Sequence, residues 1–201
     1  ISFFCLFTSI LLAVPILIYS DRILWFGIAG IFLSIAYSMP PLQLSYRGLG
    51  EITVGLTFGP IIVTGAYFLQ ANRIDAAPIL LSIPLAFLIA NVLWINEIPD
   101  VEADRKARKM NLVARRGRNE AIYGYRVLFI LAYLSVILCA IILKNPIYLA
   151  AMITSLIAIK AIHNARANAM NTQKLTSANG LTILIYLATG IILSIVSLIH
   201  I

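Results

Sequence analysis

Charge is the scarcest component of this 201-residue chain: Asp, Glu, Lys and Arg together make up 11% of it, under half of the roughly 25% usual in a soluble domain. Set against 61% apolar residues, that shortage excludes water as the main solvent. Cysteine is nearly absent, Cys5 and Cys139 being the two present. Each sits in a different apolar run, which excludes a disulfide framework and a cysteine metal site and leaves both as small hydrophobes. No internal repeat, low-complexity stretch or Pro- or Ser-rich linker interrupts the chain, so residues 1–201 read as one domain or the larger part of one. The formal charge of +7 is carried in loops between apolar runs. It points to an anionic lipid surface or a phosphorylated substrate, and away from nucleic acid.

What is present in abundance is long apolar sequence. Seven runs, at 1–20, 23–37, 52–70, 77–95, 122–143, 147–162 and 178–200, approach the roughly 20 residues that carry a helix across the hydrocarbon core. The second and sixth are short and finish their spans with interfacial residues such as Tyr37 and Lys160. The runs are continuous and rich in Leu and Ile, not alternating, so they predict helices and not barrel strands. The fold class is all-α, a multi-pass transmembrane helical bundle. The first run has no basic leader and no small-residue cleavage site after it, so it reads as a spanning helix of a partial chain, not as a signal peptide. Loops 38–51, 96–121 and 163–177 hold Arg47, Arg105, Lys106, Arg108, Lys109, Arg115, Arg116, Arg118, Arg166 and Lys174, whereas the alternate loops hold Arg22, Arg73 and Lys144. The positive-inside rule places the first set in the cytoplasm, at the cell membrane.

The fourth run leads into Asn96-Glu97-Ile98-Pro99-Asp100-Val101-Glu102-Ala103-Asp104. Asn96, Asp100 and Asp104 stand four apart, which on a helix aligns them along one face. Pro99 predicts a kink there or a fresh helix start. Two carboxylates on one face repel unless a cation lies between them, and magnesium suits, being hard, oxygen-seeking and commonly shared with substrate phosphates. Arg105, Lys106, Arg108 and Lys109 follow at once, donors suited to diphosphate oxygens. The bland alternative is a solvated helix in which Asp104 pairs with Arg108. Position favours chemistry, because this is the one acidic cluster in the chain and it caps a membrane helix. Arg47, on the same side, suits a diphosphate, a lipid headgroup or a pairing with Glu51. Asn91 reads as a cavity residue or as glue between helices, and His163 and His200 as interfacial residues on opposite sides.

This acidic string, followed by Lys109, Leu112, Val113 and Arg116-Gly117, resembles the second aspartate-rich motif of the UbiA superfamily of membrane prenyltransferases. Tyr37-Ser38-x-Pro40-Pro41, Gly48-Leu49-Gly50-Glu51, Phe58-Gly59-Pro60 and Gly65-x-Tyr67 resemble its menaquinone-type branch. The resemblance implies a nine-helix fold of which these would be helices three to nine. It implies magnesium-dependent transfer of a prenyl group from an isoprenyl diphosphate to a dihydroxynaphthoate-like aromatic acceptor in quinone biosynthesis. Other branches imply hydroxybenzoate or a glycerol-phosphate ether lipid instead. By resemblance Asp100 and Asp104 are metal ligands and catalytic, Lys109 is catalytic, and Asn96 and Glu97 are lesser ligand candidates. Asn96, Arg47, Arg105 and Lys106 are the substrate-binding candidates. The glycine usual before the family's lysine is Arg108 here. The family's first motif, N-x-x-x-D-x-x-x-D, is not found in this sequence, so that motif and two further helices are expected outside it. The rival of another class is a secondary transporter, which calls for ionisable groups or broken helices at the midplane; here the acids stand at a helix end.

Overall fold

The computed structural model describes residues 2–199. Its helices are α1 (Ser2–Tyr19), α2 (Leu24–Ser38), α3 (Gly50–Ala71), α4 (Ala76–Lys106), the short α5 (Leu112–Arg116), α6 (Arg118–Ile142), α7 (Pro146–Ala167) and α8 (Thr172–Ile199), with no strand among the described residues. Each predicted run coincides with a helix; Ile1, His200 and Ile201, at the ends of the first and last runs, lie outside the described residues. Helices α3, α4, α6, α7 and α8 are long and apolar enough to cross a membrane. The apolar stretch of α1, Phe7–Ile16, and the 15 residues of α2 are shorter.

Two helices depart from regular α geometry for local reasons. In α3 a π-helical turn at Thr57–Ile61 surrounds Pro60, whose missing N–H leaves a hydrogen bond to be made one residue further on. The first part of α7, Pro146–Thr154, is a 3-10 helix with Asn145 accepting at its start from the Ile147 amide at 3.0 Å.

The fresh helix start expected at Pro99 does not occur. Helix α4 runs unbroken for 31 residues to Lys106. Ile95, Ile98 and Val101, on either side of the proline, are buried in the core, and the Arg118 guanidinium donates to the Pro99 carbonyl at 2.9 Å. Packing on one face and a side-chain bond on the carbonyl hold the helix through the residue that should interrupt it.

Helix α4 is also the hub of the bundle, touching α3, α5, α6 and α8. Its most extensive contact is with α6, where Trp94 lies over Gly124 and donates from Nε1 to the Ala121 carbonyl at 2.8 Å. One turn away Asn91 donates to the Tyr125 carbonyl at 3.1 Å, so of its two expected roles Asn91 takes that of glue between helices. The Tyr125 hydroxyl bonds Thr182 of α8, and Tyr133, Thr154 and Thr189 join α6, α7 and α8. Cys139 is buried and donates to the Leu80 carbonyl, a packing role as expected.

A methyl group on residue 124 would stand 2.1 Å from Cζ2 of Trp94, far inside contact distance. Gly124→Ala is therefore expected to cost about 1–3 kcal/mol, seen as a lower thermal unfolding midpoint in detergent. An unchanged midpoint would contradict the close α4–α6 approach.

Candidate active site

The last turns of α4 carry Asn96, Glu97, Asp100 and Asp104. Asp100 is exposed and has no hydrogen-bond or ion-pair partner among the described residues. Asp104 is engaged by the loop that follows: its Oδ2 accepts from Asn111 Nδ2 at 2.7 Å and from Lys109 Nζ at 3.2 Å. The loop reverses because Arg108 adopts a left-handed conformation, φ +56°, while the Lys109 amide donates to the Asp104 carbonyl at 2.8 Å. Asn111 then caps α5 by accepting from the Ala114 amide at 2.6 Å, and Arg105 Nε donates to the Ala114 carbonyl at 2.7 Å. Lys109 Nζ also stands 3.8 Å from Glu97 Oε1. Burial alone would lower the Lys109 pKa, but the Asp104 hydrogen bond and the charge of Glu97 outweigh it and the pKa is raised. The ammonium stays charged.

The facing wall is the loop between α2 and α3. The Met110 amide donates to the Tyr46 carbonyl at 3.1 Å and Arg115 Nη2 to the Arg47 carbonyl at 2.8 Å, so two loops predicted to share a side are stitched together. Arg47 itself turns its guanidinium to the Pro41 carbonyl at 2.7 Å. Its expected alternative partner is elsewhere: Glu51 points inward, 4% exposed, against Glu97, 3% exposed. The two carboxyls stand within hydrogen-bond reach of each other, and no other side chain or amide among the described residues donates to them.

The structure thus brings Asp104, Lys109, Glu97 and Glu51 together, with Tyr37 beside them, and sets Asn96 and Asp100 along the same row. Asn96 meets Asn179 of α8 through their side-chain amides. Arg105, exposed, bonds the loop backbone through Nε, Lys106 is exposed, and Arg47 lies in the facing loop. The Asp104–Arg108 pair of the bland reading does not form, since Lys109 and Asn111 take that carboxylate. Sequence reasoning missed Glu51 and Asn111. An acid opening an apolar run was the signal for the first, and an Asn just before a short helix the signal for the second.

The UbiA prenyltransferase family matches residues 1–181. The chain belongs to that family. It is 37% identical over 142 residues to a UbiA prenyltransferase domain-containing protein 1 from Dictyostelium discoideum, covering 68% of this chain and 43% of the relative. It is 32% identical over 111 residues to a 1,4-dihydroxy-2-naphthoate octaprenyltransferase from Bacillus subtilis (strain 168), covering 55% and 36%. Against a 2-carboxy-1,4-naphthoquinone phytyltransferase from Synechocystis it is 34% identical over 91 residues, covering 45% and 29%. No solved structure matches. The chain spans less than half the length of these curated relatives. Family membership and five helices long and apolar enough to cross a membrane make this UbiA-family chain an integral membrane protein.

Arg108 occupies a backbone region that costs an L-residue about 1–2 kcal/mol and a glycine nothing. Arg108→Gly is expected to raise stability by about 0.5–1 kcal/mol after the added freedom of the unfolded chain is subtracted. A thermal midpoint below that of the parent would contradict the left-handed turn.

Proposed function

We propose that this chain forms the second-motif part of a magnesium-dependent membrane prenyltransferase, one that moves an isoprenyl group from its diphosphate to a dihydroxynaphthoate-like aromatic acceptor in quinone biosynthesis. The observation that carries the reading is the row of Asn96, Asp100 and Asp104 at the end of a membrane-crossing helix, with Lys109 folded back onto it. The names of the naphthoate-type relatives favour this acceptor over hydroxybenzoate or a glycerol-phosphate ether lipid.

Magnesium fits the donor set. Asp100 is open, and Asp104 makes its contacts through Oδ2, which leaves Oδ1 for a ligand; both are hard oxygen donors. Among the described residues no three His, Cys, Asp or Glu side chains stand close enough to hold a metal together. Waters and phosphate oxygens would complete the shell, together with carboxylates of the first motif that the resemblance implies. When bound, magnesium offsets the negative charge that builds on the departing diphosphate.

The chain's own groups supply the rest. Lys109, held charged, presents a donor to phosphate oxygens while Asn111 fixes the Asp104 rotamer. Arg105 positions the 107–117 loop, and Lys106 and Arg47 stand at the rim for phosphate or headgroup oxygens. Asn96, bonded to Asn179, sets the spacing of α4 and α8 beside the row. About three turns earlier on the same face of α4, Leu85 borders an apolar groove of about 360 Å³ against Tyr186, Gly190 and Ile191 of α8. That groove suits an isoprenoid tail entering from the bilayer. The basic loops favour a site on the cytoplasmic side of the cell membrane.

In the full-length protein Asp100→Asn and Asp104→Asn are each expected to lower prenyl transfer at least about a hundredfold with membrane insertion intact. Lys109→Ala is expected to weaken prenyl diphosphate binding more than Arg47→Ala. Near-parental turnover of both aspartate variants at saturating magnesium would remove the metal-ligand assignment.

A further inference from the structure

Helix α6 has a second polar face that the site above does not use. It meets α4 through Ala121, Gly124 and Tyr125. At about 100° per residue, Asn119, Tyr123 and Arg126 stand four and three residues apart along the opposite face. There, between the start of α6 and the end of α7, lies a cavity of about 390 Å³ lined by these three, Ile122, Arg166 of α7 and Ala169 just past its end. Both arginines are exposed, and neither guanidinium has a hydrogen-bond or ion-pair partner among the described residues. No acid lines the cavity. A helix of 25 residues is about 37 Å long against about 30 Å of hydrocarbon. Arg126, about 12 Å from its start, therefore falls at the edge of the apolar layer, where an unpartnered charge is costly.

We propose that this cavity holds the phosphate of an anionic glycerophospholipid between Arg126 and Arg166, with the acyl chains lying along the seam of α6 and α7. Guanidinium forks match phosphate oxygens, and a basic pocket between membrane helices is a headgroup site by the same electrostatics. What lies below the arginines selects a lipid over a soluble anion. Ile130 and Leu134 follow Arg126 by four and eight residues, and Ile159 precedes Arg166 by seven, so all three continue the same faces toward the middle of the bilayer. All three are exposed. A ligand that fills the whole site is thus anionic at one end and apolar over the next 10 Å or so. A zwitterionic lipid brings its own cation against two guanidiniums, which favours a headgroup of net negative charge. Tyr123, exposed at the same level, supplies the interfacial aromatic that such a boundary favours. Nothing in this site depends on the prenyl-transfer reading, because no residue of the carboxylate row or its loop lines the cavity.

The test uses the full-length protein in neutral detergent, titrated with dioleoylphosphatidylglycerol or dioleoylphosphatidylcholine, with bound lipid counted by native mass spectrometry. The parent is expected to hold phosphatidylglycerol at least about fivefold more tightly than phosphatidylcholine. Arg126→Gln and Arg166→Gln should each weaken phosphatidylglycerol about fivefold, and the double variant about twenty-fivefold, while phosphatidylcholine changes less than about twofold. Lys174→Gln removes an exposed cation from the same side but outside the cavity, and should change phosphatidylglycerol binding less than about twofold. Thermal midpoints without added lipid should match the parent's, since neither guanidinium holds a contact in the fold. Equal phosphatidylglycerol affinity in the parent and the double variant would overturn the proposal. So would an equal loss in Lys174→Gln, which would assign the attraction to diffuse charge, or a lipid-independent fall in midpoint that accounts for the loss. Glycerol phosphate should not displace the lipid; displacement at the lipid's own concentration would make this a soluble-anion site and overturn the lipid assignment. Arg126-dependent displacement by farnesyl diphosphate would do the same, giving the cavity to a prenyl diphosphate.

Discussion

The arrangement depends on α4 remaining helical through Pro99. A proline inside a helix costs about 3 kcal/mol, and burial of Ile95, Ile98 and Val101 at about 1.5–3 kcal/mol apiece outweighs it. These residues fix one face of the helix against the core, and the opposite face is thereby committed to Asn96, Asp100 and Asp104. The Trp94–Gly124 contact and the Arg118–Pro99 bond set how far α4 stands from α6 on either side of the proline.

Toward the middle of the bundle, Asn91, Trp94, Tyr125 and Thr154 find partners on neighbouring helices, as a low-dielectric interior requires. At the acidic end of α4 Asp100 stands open, while Lys109 and Asn111 fold back onto Asp104, an arrangement that agrees with a site assembled around a diphosphate.

Much of this was legible in the sequence. Run length and the continuous apolar pattern gave the helices, because nothing but a helix satisfies its backbone inside lipid, and the four-residue spacing of Asn96, Asp100 and Asp104 gave their shared face. Three features were not legible, each for a tertiary reason. Pro99 reads locally as a breaker, and only the packing of its flanking residues on α6 overrules it. Glu51 reads as a surface partner for Arg47, yet its place in the first turn of α3 aims it at Glu97, while Arg47 finds the Pro41 carbonyl in its own loop. Arg105 reads as a donor to phosphate, and the bond from its Nε to the Ala114 carbonyl comes only with the folding back of the 107–117 loop.

The central claim is that the carboxylate row at the end of α4 works on a prenyl diphosphate, and its most direct test is diphosphate release by membranes containing the full-length protein. The account predicts release from a polyprenyl diphosphate that requires both magnesium and an aromatic diol and stops when chelator removes the metal. Release indifferent to magnesium, or none with any prenyl diphosphate and acceptor tried, would contradict it.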